Sequence, residues 1–244
     1  NINDSTWGIR AINTQPTDGF GSGIGGIAYL NSFAYNQDTP VFTFNKGARN
    51  GGMTNSHEVG HALGLRHQGL NSQSYHPGTG TGQTSWGPIL GAPFGKRLTQ
   101  WSNSDYDGAT INQDDLTVIT SNRNGFGYRD DDHGSNLQSA TVITANESQQ
   151  LSSWGIVERT EDQDWFSFHT GAGNVTLNID AFGQDPNLDI EAKLHDASGN
   201  VIATSNPLNE TNAAFDLELT AGQYFLSVDG VGLDGQNSDY GSIG

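Results

Sequence analysis

Three histidines and one glutamate in the first third of the chain stand at a spacing that suits a catalytic metal ion. Positions 57 to 67 read HEVGHALGLRH. On a helix, His57 and His61 lie four residues apart and project from one face, so both imidazoles can reach the same ion. Glu58 lies about 100° around the helix axis, where its carboxylate can face a water at the metal without binding the metal. These residues indicate metal-assisted hydrolysis.

A glycine in the same stretch explains how a third imidazole can reach the ion. Gly64 has no Cβ, so it can adopt a positive φ and end the helix. The chain can then turn and bring His67 back to the metal. Three neutral imidazoles leave the fourth tetrahedral position of a zinc ion open for water, which distinguishes a catalytic site from a closed structural one. We therefore predict zinc ligands at His57, His61 and His67, and a general base at Glu58.

The alternative to a metal site is a surface helix that carries this pattern by chance. The full pattern fixes five residues, and average residue usage gives a chance match in about 1 in 10⁵ chains of this kind. Without a metal, the three imidazoles would need other polar partners, and the neighbouring sequence offers few. Apolar residues on the other side of the helix would pack it into a core. They are Val59, Ala62, Leu63 and Leu65. The metal site is the favoured interpretation.

The eleven residues HEVGHALGLRH resemble the HExxHxxGxxH signature of the metzincin zinc endopeptidases. The resemblance implies that His57, His61 and His67 bind zinc. It also implies that Glu58 is the general base and that Gly64 makes the turn. The fold it implies is an α+β domain of the metzincin type, acting on protein or peptide substrates.

Metzincins also have a downstream turn in which a methionine forms an apolar floor under the metal. The single methionine of this chain, Met53, lies upstream of the motif. The segment Trp86–Gly91 is similar to that turn, with Leu90 in the methionine position. Leucine and methionine have similar volumes, and such exchanges usually cost less than about 1.5 kcal/mol, so we expect the floor to be kept. Gln68 and Phe94 also differ from the residues of several metzincin subfamilies, which affects rate more than folding.

Short strands and a second helix are expected around the motif. The segments Trp7–Ile12, Gly26–Leu30 and Pro40–Phe44 have the composition of strands and are bounded by turn residues. Gln113–Ile119 is predicted to be helical, with acidic residues in its first turn. The resemblance makes Gly26–Leu30 the antiparallel edge strand above the cleft, where an extended peptide could pair with it. The alternative is an ordinary sheet strand.

The composition changes near residue 125, and the rest of the chain alternates between apolar and polar residues. We predict a catalytic domain at residues 1–124, a linker at 125–129 and an all-β domain at 130–244. Five segments show the alternation typical of strands with one apolar face: 165–168, 175–179, 188–194, 215–219 and 224–228. The turn-forming residues between them favour a β-sandwich.

This second part resembles the pre-peptidase C-terminal domain, a jelly-roll-like sandwich that bacteria append to secreted peptidases. The matching pieces, in chain order, are 131–134, 162–168, 188–190 and 221–226. The resemblance implies an accessory role in binding substrate or matrix, in secretion, or as a piece removed during maturation. We also expect both domains to be incomplete, because only 56 residues precede His57 and the last residues stop where a final strand would begin.

Two further groups of residues are weaker candidates. Acidic side chains in the second part could bind calcium through carboxylate oxygens, although solvated acidic loops are the favoured interpretation because no EF-hand spacing is present. These residues are Asp130, Asp131, Asp132, Asp162 and Asp164. His76, in a glycine-rich loop before the Met-turn-like segment, is a candidate for the wall of the cleft.

Composition narrows the choice of partners and compartment. Ten basic and 27 acidic residues give a net charge of −17, which argues against nucleic acid and anionic membranes as partners. The chain has no cysteine, so disulfides give no information on its redox compartment. No apolar run reaches the length of a membrane span. We expect an exported protein whose leader peptide is absent from this sequence.

The sequence therefore predicts a secreted zinc endopeptidase with a C-terminal β-sandwich. Glu58 would take a proton from the attacking water and pass it to the leaving amine. A second hypothesis is a protein of weak catalytic power that binds matrix or polymer through the sandwich, since Leu90 replaces a methionine and the second part is large. A zinc amidase that acts on non-peptide amides shares the same chemistry.

Overall fold

The computed structural model describes residues 8–15, 23–183, 186–233 and 237–244. The chain divides into two compact units, of which the first comprises residues 1–79 and 86–127 and the second comprises residues 80–85 and 128–244. The units meet in sequence between Gly127 and Tyr128. The boundaries of the catalytic domain, the linker and the all-β domain stay a prediction.

The first unit combines short strands with two helices. Its described elements are β1 Ala11–Asn13, β2 Gly26–Ile27, a 3-10 turn at Ser32–Ala34, β3 Val41–Thr43, α1 Ala48–Leu63, β4 Trp86–Pro88, β5 Leu98–Gln100 and α2 Asp115–Ile119. The three predicted strands are present in shortened form as β1, β2 and β3, while Trp7, at the start of the first prediction, lies outside the described residues. Within the described part of the chain, no helix has both the length and the apolar composition needed to cross a membrane.

The described strands of the first unit form two small sheets. Strand β3 pairs in parallel with β1 and antiparallel with β2, so β2 lies at an edge of this sheet among the described strands. Strands β4 and β5 pair in parallel. The prediction of an antiparallel edge strand is therefore confirmed for Gly26–Ile27, but the chain leaves the sheet before Leu30.

Helix α1 carries the histidine motif and ends where the sequence predicts. Gly64 has φ 115° and ψ 1°, and its N–H reaches the carbonyl groups of Gly60 and His61. Below the helix, Leu65 and Leu90 are fully buried in one apolar cluster. A Cβ on Gly60 would lie only 3.1 Å from Leu90 Cδ2, so the leucine packs directly against the helix at this glycine.

The second helix is shorter than predicted because an aspartate caps it. The side chain of Asp114 accepts a hydrogen bond from the N–H of Thr117 at 2.8 Å, which starts α2 at Asp115. The buried amide of Asn124 then donates to the carbonyl oxygens of Leu63, Val118 and Ile119 at 3.0 to 3.1 Å. The last carbonyl groups of a helix have no partner within the helix. The side chain of Asn124 thus satisfies such groups at the ends of both helices.

A buried polar cluster holds the chain immediately after the histidine motif. Asp115 is fully buried, and its Oδ1 accepts hydrogen bonds from the amides of Gln68 and Gln113, both at 2.9 Å. Its Oδ2 accepts from the N–H of Ser102 at 3.0 Å. Burial raises the pKa of Asp115 to about 7, although these hydrogen bonds act to lower it. The cluster fixes Gln68, and therefore the backbone next to His67.

The second unit consists of strands. Its described elements are β6 Thr141–Val142, β7 Gln163–Thr170, β8 Gly173–Ile179, β9 Ile190–His195, β10 Val201–Ser205, β11 Ala213–Leu219 and β12 Gly222–Gly230. In the described residues, five strands form one sheet in the order β10-β9-β12-β7-β6, and β8 pairs antiparallel with β11. All five predicted segments form strands. Strands β6 and β10 were not predicted, because β6 has two residues and β10 exposes both Val201 and Ile202.

The two β-sheets of this unit face each other across one apolar core. Phe166, Leu194 and Leu226 from the larger sheet are buried in the same cluster as Phe215 from β11, and Leu177 from β8 packs against it. The alternating apolar residues of each strand therefore point into a shared interior, as the period of two predicts. The chain as a whole is a mixed α/β protein built mostly of strands.

The raised pKa of Asp115 predicts a pH-dependent stability. The ordinary pKa is 3.8 and the folded-state pKa is about 7, so between these values the folded protein holds a proton that the unfolded chain releases. The free energy of unfolding should therefore fall as the pH rises through this range. Asp115→Asn should flatten this part of the profile, measured by chemical denaturation between pH 4 and 8 with tryptophan fluorescence.

The Asp115→Asn protein should also be less stable at pH 5. Both carboxyl oxygens of Asp115 accept hydrogen bonds, and the NH₂ group of an asparagine cannot accept one, so at least one buried donor would lose its partner. Asp107→Asn, at an exposed carboxyl group, is the matched control and should leave the profile unchanged. A profile for Asp115→Asn that runs parallel to the wild-type profile would show that another group causes the dependence.

Candidate metal centre

The fold brings the three predicted metal ligands together. The ring centroids of His57, His61 and His67 are 4.6 to 5.3 Å apart, and each ring offers a nitrogen within 4.8 Å of the others. The Nε2 atoms of His61 and His67 are 2.9 Å apart. Two nitrogens bound to one tetrahedral zinc would be about 3.3 Å apart, given Zn–N bonds of about 2.0 Å. Nε2 of His61 and Nε2 of His67 would therefore have to separate by a few tenths of an ångström to bind one zinc ion.

Backbone carbonyl groups fix the orientation of two of these rings. Nδ1 of His57 donates to the carbonyl oxygen of Ile89, and Nδ1 of His61 donates to that of Leu65, both at 2.7 Å. A carbonyl oxygen can only accept, so the proton of each neutral ring lies on Nδ1 and the lone pair lies on Nε2. This is the arrangement that metal-binding histidines generally show. The Ile89 contact also explains why the turn after β4 lies next to α1.

Burial keeps the three imidazoles neutral. Burial, together with the charge of the neighbouring His61, lowers the pKa of His57 and of His67 to about 4. Burial also lowers the pKa of His61. Because a metal binds the unprotonated nitrogen, the site is ready for a cation at neutral pH without first losing protons.

Glu58 lies in the same buried region, against the edge strand. Its side chain is 5% exposed, and burial raises its pKa to about 7. A Cβ on Gly26 would lie 2.6 Å from Oε1 of Glu58 and 2.7 Å from the carbonyl oxygen of Phe42. Strand β2 can therefore approach the carboxylate only because residue 26 is glycine. Glu58 lies next in sequence to His57, and its carboxylate contacts the strand.

An open pocket adjoins the cluster. It has a volume of about 440 Å³ and is lined by Ala28, Leu30, His61, Arg66 and His67. The segment after β2 thus forms one wall and two of the histidines form another. A pocket of this size accommodates part of a peptide next to the imidazoles.

The expectation that His76 lines the cleft is wrong. The residue is 1% exposed, and its Nδ1 accepts a hydrogen bond from the N–H of Gly78 at 2.8 Å. Its ring packs against Trp86 and Tyr106, with centroid distances of 5.5 and 4.6 Å. These apolar neighbours shelter the imidazole from water, so His76 is part of the packing of the first unit.

The preceding residue, Tyr75, lies beside the histidines instead. Its ring centroid is 4.3 Å from that of His67 and 6.3 Å from that of His57. Burial, and then the charge of Glu58, raise the pKa of its hydroxyl. No motif in the sequence indicated this residue, because the path of the loop after His67 depends on tertiary packing.

The second unit contains a separate group of acidic residues. Carboxylate oxygens of Asp131, Asp162 and Asp164 lie within 4.8 Å of one another, and Asp132 and His133 form an overlapping group with Asp164. The structure therefore brings together four of the five predicted candidates. Asp130 belongs to neither group in the described part of the chain.

Two buried oxygens of this acidic group have no hydrogen-bond partner. They are Oδ1 of Asp164, which is 3% exposed as a residue, and Oε2 of Glu158, which is 7% exposed. Burial and nearby carboxylates, Asp162 first, raise the pKa of Asp164 to about 8, and burial with a hydrogen bond to Asp162 raises that of Glu158 to about 7. Glu158 was missed in the sequence because it lies outside the clustered aspartates. A divalent cation would neutralise such a group.

Two comparisons with known proteins found similarities. A structure comparison finds the pre-peptidase C-terminal domain of a collagenase from Bacillus anthracis, with 18% identity and a TM-score of 0.30, covering 41% of this chain and 89% of that domain. No curated protein matches the sequence. Residues 9–68 match the family model for reprolysin-like metallopeptidases of family M12B. The matched residues include His57, His61 and His67.

Proposed function

We propose that this chain is a secreted zinc endopeptidase, with His57, His61 and His67 as zinc ligands and Glu58 as general base. The observation that carries the proposal is the convergence of three neutral imidazoles beside a buried carboxyl group, within a segment that matches a metallopeptidase family. Three nitrogen ligands leave a coordination position free for water or substrate.

The chemistry divides between the ion and the protein. When bound, zinc supplies a Lewis acid that polarises the scissile carbonyl and lowers the pKa of water. Glu58 takes one proton from the attacking water as its oxygen bonds to the carbonyl carbon. It then gives a proton to the departing nitrogen as the C–N bond breaks, which leaves a carboxyl product, an amine and an unchanged enzyme. Burial supports this role, because it brings the carboxyl pKa to about 7, where proton uptake and release are balanced.

The substrate would bind as an extended chain along β2. This strand has a free edge among the described residues, and the pocket next to it is lined by His61 and His67. Main-chain hydrogen bonds to such an edge hold a peptide without selecting strongly for sequence. The contact between Gly26 and Glu58 would then place the peptide backbone next to the general base.

The proposal extends to the organisation and location of the protein. Residues 1–124 would form the catalytic domain, residues 125–129 the linker and residues 130–244 an accessory sandwich. Secretion is proposed from the likeness of the second part to a domain appended to secreted peptidases. The net charge of −17 supports protein or peptide substrates over nucleic acids and anionic membranes as partners.

The peptidase proposal is tested by hydrolysis of an unstructured, fluorescently quenched protein. Activity should disappear on chelation and return with zinc. Glu58→Gln keeps the shape of the side chain but removes the base, so kcat should fall by about 10²-fold to 10⁴-fold while zinc binding is retained. Glu147→Gln, at an exposed carboxyl in the second unit, is the control and should change neither kcat nor zinc binding. A zinc-loaded Glu58→Gln protein with full activity would eliminate the assigned base.

A second candidate function is binding of matrix or polymer by the sandwich. The observation that favours it is an apolar cavity of about 960 Å³ within the second unit, whose lining includes Phe168, Leu177 and Trp154. Trp154 is 79% exposed, so most of its indole is available to a partner.

Retention of the full chain on insoluble protein and polysaccharide tests this function. Trp154→Ala should reduce retention several-fold, because aromatic side chains dominate the energetics of such contacts. Val142→Ala changes an exposed apolar residue that does not line the cavity and should have no effect. Equal retention of both variants and wild type would remove this cavity from consideration.

We also propose that calcium binds between Asp131, Asp162 and Asp164. Oxygen ligands are those that calcium prefers, and the unpaired buried oxygens of Asp164 and Glu158 lack any other partner in the described residues. Without a cation, the buried carboxyl groups of Asp162 and Asp164 remain crowded beside the exposed carboxyl group of Asp131.

Calcium should therefore raise the melting temperature of the protein. At 100 times its dissociation constant it would stabilise the folded state by about 2.7 kcal/mol. Asp164→Asn should abolish the calcium-dependent rise in calorimetry, whereas Glu210→Gln, at an exposed carboxyl of the same unit, should retain it. A rise of equal size in the Asp164→Asn protein would place any bound calcium elsewhere.

A further inference from the structure

Tyr75 stands beside the histidine cluster, and the mechanism described above gives it no role. Its ring lies 4.3 Å from the ring of His67 and is inclined by 27° to the ring of His57. The residue is 42% exposed. One side of the phenol therefore packs against an imidazole, and part of the side chain is exposed to solvent.

Backbone hydrogen bonds place this side chain. The N–H of His76 donates to the carbonyl oxygen of Gln68 at 2.8 Å, and the N–H of Gln68 donates to that of Leu90 at 2.9 Å. The first bond brings residue 76 alongside residue 68, so Tyr75 comes to lie next to His67. Because His76 is buried and Gln68 is held by Asp115, both ends of this contact are anchored.

The hydroxyl of Tyr75 has no hydrogen-bond partner in the described part of the chain. Other tyrosines of the same unit do: the hydroxyl of Tyr106 donates to the carbonyl oxygen of Gly69 at 3.0 Å, and that of Tyr35 donates to Leu30 at 3.5 Å. The carboxylate of Glu58 lies close enough to Tyr75 to act on its hydroxyl electrostatically. A hydroxyl donor without a partner in the described residues thus lies on a side chain that contacts the histidine cluster.

We propose that the Tyr75 hydroxyl donates a hydrogen bond to the carbonyl oxygen of the scissile bond as that oxygen gains negative charge. This inference rests on the proposed peptidase function. The phenol keeps its proton throughout, so the products of hydrolysis are unchanged. A donor that acts only on the developing charge lowers the barrier without tightening substrate binding, and one such donor typically contributes about 10²-fold to 10³-fold in kcat.

The test compares wild type, Tyr75→Phe and the control Tyr35→Phe, all loaded with zinc. Phenylalanine keeps the ring contact with His67 and removes only the hydroxyl. Tyr35 has nearly the same exposure as Tyr75, at 41% against 42%. For each protein, zinc stoichiometry, kcat and KM for the quenched protein substrate are measured. Calorimetry gives the affinity for a phosphinic peptide, which mimics the tetrahedral oxyanion and requires no turnover.

The Tyr75→Phe protein should bind zinc normally and show a kcat lower by about 10²-fold, with KM within a few-fold. Its affinity for the phosphinic peptide should fall by a similar factor, while Tyr35→Phe behaves as wild type. Unchanged kcat and phosphinate affinity in Tyr75→Phe would overturn the inference and leave the peptidase function intact. Loss of zinc from Tyr75→Phe would also overturn it, by assigning the hydroxyl to the metal site. A zinc-loaded wild type that neither hydrolyses substrate nor binds the phosphinate would remove the peptidase function and the inference together.

Discussion

The turn at Gly64 is the constraint on which the candidate site depends. With φ at 115°, the chain leaves the helix after Leu63, and the N–H of Leu65 bonds to the carbonyl oxygen of Gly60 at 2.9 Å. This reversal brings His67 within reach of His61. A side chain at residue 64 would be strained, and its Cβ would lie 2.7 Å from Oδ1 of Asn31. The third imidazole joins the other two because residue 64 lacks a side chain.

Burial then sets the protonation states that the chemistry needs. The same desolvation that lowers the pKa values of His57 and His67 raises that of Glu58, because in each case it disfavours the charged form. Backbone carbonyl groups hold the Nδ1 protons of His57 and His61, so the neutral rings are satisfied on one side and have a free lone pair on the other. In the second unit, burial raises the pKa values of Asp164 and Glu158, each of which has one carboxyl oxygen without a hydrogen-bond partner.

The local features could be predicted from the sequence. Helix α1, its end at Gly64 and the facing pair His57 and His61 follow from spacing within a single turn or two of helix. The strands of the sandwich follow from alternation along each strand. Short elements were harder to predict from the sequence. Strands β6 and β10 have little apolar pattern, and the second helix is shorter than predicted because Asp114 caps it.

Residue types and spacing by themselves determined that three imidazoles and one carboxylate could converge and which face of each strand is apolar. Each of these features depends on residues a few positions apart along the chain. The tertiary structure decided which residues from distant segments meet. It buried His76, turned Tyr75 towards His67, placed Leu90 under Gly60 and set Asp115 against Gln68. Such contacts depend on the path that each loop takes between the elements it connects. Local preferences allow many such paths, and the packing of the whole unit selects one of them.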